Sequence, residues 1–218
     1  MLTLQLDDTR ENLLLRLKEM YPDWAALNDI VRQHVGPANK REVWEEQTVA
    51  LALLAAQYNH VDARILEIGA NRGMSACLMQ LAAPQANVTT LEPHQKRRSA
   101  VRTNLARTGV HVRAETSVAF LDVDAHTYDM IFVDGNHDLV RLDLPWYNRL
   151  VTGGLFLHHD FSPLGSSREC PSVFEALTEF IRVLDHAPEV LVRDLTGMGL
   201  AGWYRRDGEA WDDSLYQA

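Results

Sequence analysis

Cysteine is scarce in this chain of 218 residues: Cys77 and Cys170 stand far apart, without the paired spacing of a metal-binding knuckle. That excludes a disulfide framework and fits a reducing compartment. Long apolar runs are missing too. The longest, 49–56, falls well short of the ~20 residues that cross a bilayer, so no membrane partner is expected. The opening M-L-T-L-Q-L-D-D lacks the basic start of a signal peptide, and we expect a cytoplasmic protein. Basic charge is in deficit, with 21 Lys and Arg against 30 Asp and Glu and a formal net charge of −9. Binding phosphates nonspecifically needs the opposite balance, so no nucleic-acid partner is expected. Internal repeats and low-complexity segments are absent. What remains is an ordinary globular composition, long enough for one sizeable core.

The chain is organised around 64–73, R-I-L-E-I-G-A-N-R-G. Ile65, Leu66 and Ile68 read as a short buried strand, and Gly69 and Gly73 frame a turn into a helix. Such a turn presents backbone N–H groups and a helix N-terminus at the sheet edge, where a ligand can sit. The dinucleotide fingerprint needs a glycine where Asn71 stands, so the turn is not built for close approach of a pyrophosphate. That argues against a nicotinamide-dependent oxidoreductase.

Residues 1–60 read as a helical extension that does not fold independently. Leu13, Leu14, Leu17 and Met20 recur at helical spacing, then Trp24, Leu27, Ile30 and Val31, and a third helix is expected over 41–58. The extension would cover one end of the sheet, cover the cofactor or form a homodimer contact. From 61 to 206 strand and helix alternate, which predicts a Rossmann-like α/β fold with a mostly parallel sheet and helices on both faces. The expected strands are 64–69, 88–92, 111–115, 128–134, 155–160, 190–195 and 200–204. Helices are expected over 74–82, from strand two to about 108, from strand four to about 150, and over 171–186. The Gly153-Gly154 pair reads as the turn into strand five. The short T-G-M-G turn predicts a terminal hairpin, hence an antiparallel last strand in a seven-stranded sheet. Residues 207–218 form a polar tail.

Candidate site residues gather at the expected strand ends. Glu67 precedes the glycine turn, and Glu92 ends strand two, 23 residues after Gly69. An acid there can accept hydrogen bonds from ribose hydroxyls, although it also suits the start of the next helix. Thr116 and Ser117 follow strand three and fit either an adenine edge or a helix cap. Asp134 and Asp160 end neighbouring strands and face one crevice. Together they suit a hard divalent cation such as Mg²⁺. His137 lies three residues past Asp134 and titrates near neutrality, as a general base must. His158 and His159 point to opposite faces, so at most one shares Asp160's side. A zinc site using one of them has suitable ligand types but matches no zinc spacing. Lys96, Arg97, Arg98, Arg102 and Arg107 read as a solvated helix face. The loop 161–170 reads as a substrate lid in which Arg168 meets an anionic substrate, Glu169 or solvent.

The acid-x-Gly-x-x-x-Gly turn of Glu67, Gly69 and Gly73 resembles the first motif of class I S-adenosylmethionine-dependent methyltransferases. D-G-N-H at 134–137, followed by Asp143, Trp146, Leu150, Gly153-Gly154 and His159-Asp160, resembles the methyltransferase 24 group. This resemblance covers about residues 45–205 and implies a small-molecule O-methyltransferase. It implies S-adenosylmethionine bound by Glu67, Gly69, Asn71, Gly73, Glu92, Thr116, Ser117 and Asp134. His137 and Asp134 would be catalytic, Asp134 and Asp160 would be metal ligands, and the acceptor would be a small molecule. His137 falls where the similar catechol-type enzymes place a lysine, and Leu139 replaces a frequent aromatic. Phe161 stands where those enzymes have a metal-binding asparagine, so a metal-free, histidine-assisted transfer stays open. So do a metal-dependent hydrolase or hydroxylase-like enzyme on the same fold and a nonenzymatic S-adenosylmethionine-binding protein.

Overall fold

The computed structural model describes residues 45–161, 170–193 and 199–212, with positions 15, 19, 29, 31, 33 and 214. The first two expected helices, positions 162–169 of the expected lid, the 194–198 turn and most of the polar tail lie outside the described residues. Helix α1, Glu45–Ala56, is buried all round from Gln47 to Ala55, as expected of a helix enclosed by other elements. It packs on the helix Met74–Ala82 and reaches the sheet.

Strand β1, Arg64–Ile68, is buried on both faces and lies inside the sheet. Helix α2, Met74–Ala82, follows, then β2, Asn87–Leu91, helix α3, Gln95–Leu105, and β3, His111–Arg113. Helix α4, Ser117–Val123, leads to β4, Tyr128–Val133. Beyond β4 lie a 3₁₀ turn, His137–Leu139, the short helix α5, Val140–Asp143, and a second 3₁₀ segment, Leu144–Arg149. Strand β5, Leu150–His159, helix α6, Pro171–Leu184, and strands β6, Val190–Arg193, and β7, Gly199–Tyr204, complete the order. The seven strands pair as β3-β2-β1-β4-β5-β7-β6. All pairings from β3 to β5 are parallel, and β7 runs antiparallel between β5 and β6.

The expected fold class therefore holds. Two apolar cores sandwich the sheet, one beneath α1 and α2, the other beneath α5 and α6. Helix α6 buries Val173, Ala176, Leu177, Phe180 and Leu184, the recurring face of an amphipathic helix that opens on Pro171. Among the described residues no helix is long and apolar enough to cross a membrane.

Three local expectations are corrected. Helix α4 stands where the sequence pattern predicts none, because in seven residues it buries only Phe120 fully and so shows no stripe. The continuous helix expected up to 150 is broken into short 3₁₀ and α pieces. Pro145 sits in the first turn of the last piece and has no N–H with which to continue an α ladder. Gly153 and Gly154 lie inside β5 rather than before it. A side chain at Gly154 would press on the Tyr128 and Asp129 carbonyls at 3.1 and 3.0 Å, where the β4–β5 register shifts.

Candidate active site

The turn after β1 is sewn to both neighbouring strands. Gly69 and Ala70 donate their N–H groups to the Leu91 carbonyl at 3.2 and 3.1 Å, and Asp134 donates to the Ile68 carbonyl at 2.9 Å. Gly69 has φ +104, and a Cβ there would collide with the Asp134 carbonyl. Gly73 has φ +87 and lies on Leu105, whose Cγ would stand 2.9 Å from an added Cβ. Asn71 takes the left-handed conformation at φ 47, which asparagine tolerates. The two glycines thus let the β1 turn and α2 lie directly against β4 and α3.

Glu67 is fully buried and accepts hydrogen bonds from the Ser75 and Thr90 hydroxyls. Burial pushes its carboxyl up to about 7 against those two bonds, with Asp134 and Glu92 adding like charge. Neither Glu67 nor Gly73 faces the crevice; the acid locks β1, β2 and α2 together from behind the turn.

The crevice itself encloses about 760 Å³ beyond the carboxyl ends of β1, β2 and β4. Gly69, Asn71, Glu92, Thr116, Ser117, Asp134 and His137 all line it. Glu92 is buried, and its Oε1 accepts the His94 N–H at 3.0 Å. Thr116 caps α4, accepting the Ala119 N–H at 3.2 Å, and also lines the crevice. Asp143 and Cys170, not among the expected site residues, also line it. Asp143 is buried beside Ser117, and burial pushes its carboxyl up to about 6 despite that hydroxyl's hydrogen bond. Cys170 stands at the start of α6 with its Sγ 3.4 Å from His137 Nδ1.

At the crevice edge, His137 Nε2 lies 3.1 Å from Asp160 Oδ2. This hydrogen bond, against burial, raises the imidazole's affinity for a proton. Burial alone would raise the Asp160 carboxyl, but the bonds from His137 and His159 outweigh it and hold the group well below the carboxylate range. Asp160 adopts φ 60, so the chain turns sharply as β5 ends. His159 Nδ1 lies 2.9 Å from Asp160 Oδ2 and 3.3 Å from Asp134 Oδ1, while its Nε2 lies 2.6 Å from Gln47 Oε1 on α1. His158 is buried and donates from Nδ1 to the His159 carbonyl at 2.6 Å; burial lowers its pKa to about 4. Of the two histidines, His159 shares the aspartates' side. Phe161 is buried against Phe174 and Trp203, so its side chain supplies no oxygen ligand.

A seven-stranded sheet of this order, with its glycine turn and acid-lined crevice, defines the class I S-adenosylmethionine-dependent methyltransferase fold. Residues 66–161 match the family model described as "Methyltransferase domain". The O-methyltransferase from Bacillus cereus, solved with SAH, superposes with a TM-score of 0.63 at 18% identity, covering 83% of this chain and 91% of that one. TomG, the O-methyltransferase from Streptomyces achromogenes involved in tomaymycin synthesis, gives 0.60 at 19% identity with 92% of each chain covered. Among curated sequences, ribosomal RNA small subunit methyltransferase G of Mycobacterium sp. (strain KMS) is 30% identical over 83 residues, 38% of this chain. The match spans only 36% of that relative's length.

Proposed function

We propose that this protein transfers the methyl group of S-adenosylmethionine to an oxygen of a small molecule. The observation that carries the reading is the convergence of Gly69, Asn71, Glu92 and Asp134 on one crevice with the His137–Asp160 pair at its edge. The crevice fits the cofactor: the glycine turn keeps its floor free of side chains, and Glu92 offers a carboxylate for ribose hydroxyls. When bound, S-adenosylmethionine supplies a methyl group on a positively charged sulfur.

The chain's own residues provide alignment and proton transfer, alignment alone being able to supply ~7–11 kcal/mol of a barrier. Asp160 accepts the His137 Nε2 proton and fixes the ring, leaving Nδ1 as the basic nitrogen. His137 Nδ1, which Cys170 Sγ approaches at 3.4 Å, would take the acceptor's hydroxyl proton and so ready that oxygen for the methyl group the cofactor would supply. Asp134 and Asp160, with His159 between them, also suit a divalent cation, which would polarise the acceptor oxygen. The acidic net charge and the O-methyltransferase neighbours favour a small acceptor over RNA.

Calorimetric titration with S-adenosylmethionine tests the reading. We expect one-to-one binding, weakened at least tenfold in Glu92→Ala. Failure of the folded protein to bind the cofactor would overturn it.

A further inference from the structure

We infer that the starts of strands β1 to β4 form a second ligand site, apart from the crevice, that takes a small apolar monocarboxylate. The inference goes beyond the cofactor reading and does not depend on it.

A cavity of about 420 Å³ opens beside α4 where these strands begin. That volume suits a small ligand. The crevice lies beyond the carboxyl ends of β1, β2 and β4, and the two cavities share no lining residue. Strand β1 alone carries the chain ~13 Å from Arg64 to Ile68.

Strand alternation makes the cavity floor polar. Arg64, Leu66 and Ile68 share one face of β1, in register with Asn87, Thr89 and Leu91 on β2. Toward the carboxyl ends this face is apolar and belongs to the core beneath α5 and α6. Toward the starts it carries Arg64, Asn87 and Thr89, with His111 of β3 in register beside Thr89. Helix α4 has seven residues and covers this part incompletely. Its Phe120 is buried against Trp146, but Val123 is 70% exposed at the cavity. Parallel sheets normally have both faces covered, so the open patch has room for a ligand.

The charges select its chemistry. Among the described residues the Arg64 guanidinium and the His111 imidazole make no hydrogen bond or ion pair within the chain; the bond of Arg64 to Asp129 Oδ2, at 2.8 Å, comes from its backbone N–H. The nearby carboxylates are already committed. Asp124 accepts the Tyr128 hydroxyl at 2.8 Å and lies 2.7 Å from His126 Nδ1. Glu115 pairs with Arg113 Nη2 at 2.5 Å, and that guanidinium stands over the Phe120 ring, 5.2 Å from its centroid. One uncommitted guanidinium therefore calls for one negative charge, and a second would meet Asp124. A carboxylate matches the paired N–H donors of arginine. In either protonation state His111 adds an N–H donor, and Thr89 adds a hydroxyl. Phe120 and Val123 leave the rest of the ligand an apolar wall, which favours an apolar body over a bare anion.

The test titrates the full chain with 1-naphthoate and its neutral counterpart 1-naphthamide, read by backbone amide shifts in nitrogen-15 NMR. We expect naphthoate to bind with a Kd below ~1 mM. It should move Thr89, His111 and Val123 and spare Gly69 and Asn71 of the crevice. Losing the charge-assisted hydrogen bonds should make the amide bind at least tenfold more weakly. Arg64→Gln, at an exposed position, should weaken naphthoate by a similar factor. Val123→Asp, which puts a carboxylate at the cavity mouth, should also weaken it. Absence of binding, shifts centred on the crevice, or displacement of naphthoate by S-adenosylmethionine would each overturn the proposal. So would equal affinity for the amide, unchanged affinity in either folded variant, or inorganic phosphate bound as tightly as naphthoate.

Discussion

Replacing Glu67 by glutamine should change how stability depends on pH far more than it changes stability at low pH. Glu67 is enclosed by β1, β2 and α2 and holds its proton to about 7 in the folded chain, against an ordinary value of 4.5. Between those values the folded state binds a proton that the unfolded chain has released. Raising the pH through this window therefore favours unfolding. The gap of two and a half pH units, at ~1.36 kcal/mol each, amounts to about 3 kcal/mol, complete once the pH exceeds 7. The substituted amide keeps the volume and an acceptor oxygen for Ser75 or Thr90 but does not titrate. Urea unfolding of both proteins at several values from pH 5 to 8 gives the difference directly, because all other ionisable groups are shared. Wild type should lose about 2 to 3 kcal/mol relative to Glu67→Gln across that range. A flat difference, or one in which wild type gains with pH, would refute the claim that burial dominates at this carboxyl.

Gly69→Ala combines a φ of +104 with a clash on the Asp134 carbonyl, and should cost ~2–5 kcal/mol in urea unfolding while weakening S-adenosylmethionine binding. Phe180 packs against Tyr147, Phe156, Trp203 and Trp211, so Phe180→Ala should cost ~3–5 kcal/mol in the same assay. His137→Ala should leave cofactor affinity within about twofold, because the residue stands at the crevice edge, while single-turnover methyl transfer falls by ~10²–10⁴.

The parallel sheet and its crevice were legible because they depend on short-range patterns. Apolar strands end at Gly69, Glu92, Asp134 and Asp160, and strand ends of a parallel sheet share an edge. What escaped depends on distance or on weak local signals. Gln47 meets His159 across 112 positions, and nothing in an apolar helix marks its one amide as a support for an imidazole. Glu67 shows the opposite failure. The motif pointed to a cofactor ligand, but strand alternation buries the side chain away from the crevice, where it binds hydroxyls of α2 and β2. Helix α4 was lost because its apolar residues Val118 and Val123 are exposed and form no stripe.

The curated relatives are ribosomal RNA methyltransferases, the structural neighbours include both O-methyltransferases and an rRNA methylase, and the chain's charges bear on the acceptor. RNA-modifying enzymes must hold phosphates with free basic side chains. Among the described residues the basic cluster is that of α3, with Lys96, Arg97, Arg98 and Arg102. Yet Arg98 is committed to the fold. Its Nη1 donates to the carbonyls of Glu92, Pro93 and Ala114, stapling the loops after β2 and β3. Arg97 lines the crevice, where a cationic side chain serves a bounded ligand rather than an extended backbone. Elsewhere on the crevice lining Leu139 is half exposed. With net charge −9 and Arg98 tied to backbone carbonyls, this face offers a polyanion little to hold, which supports the small acceptor proposed above.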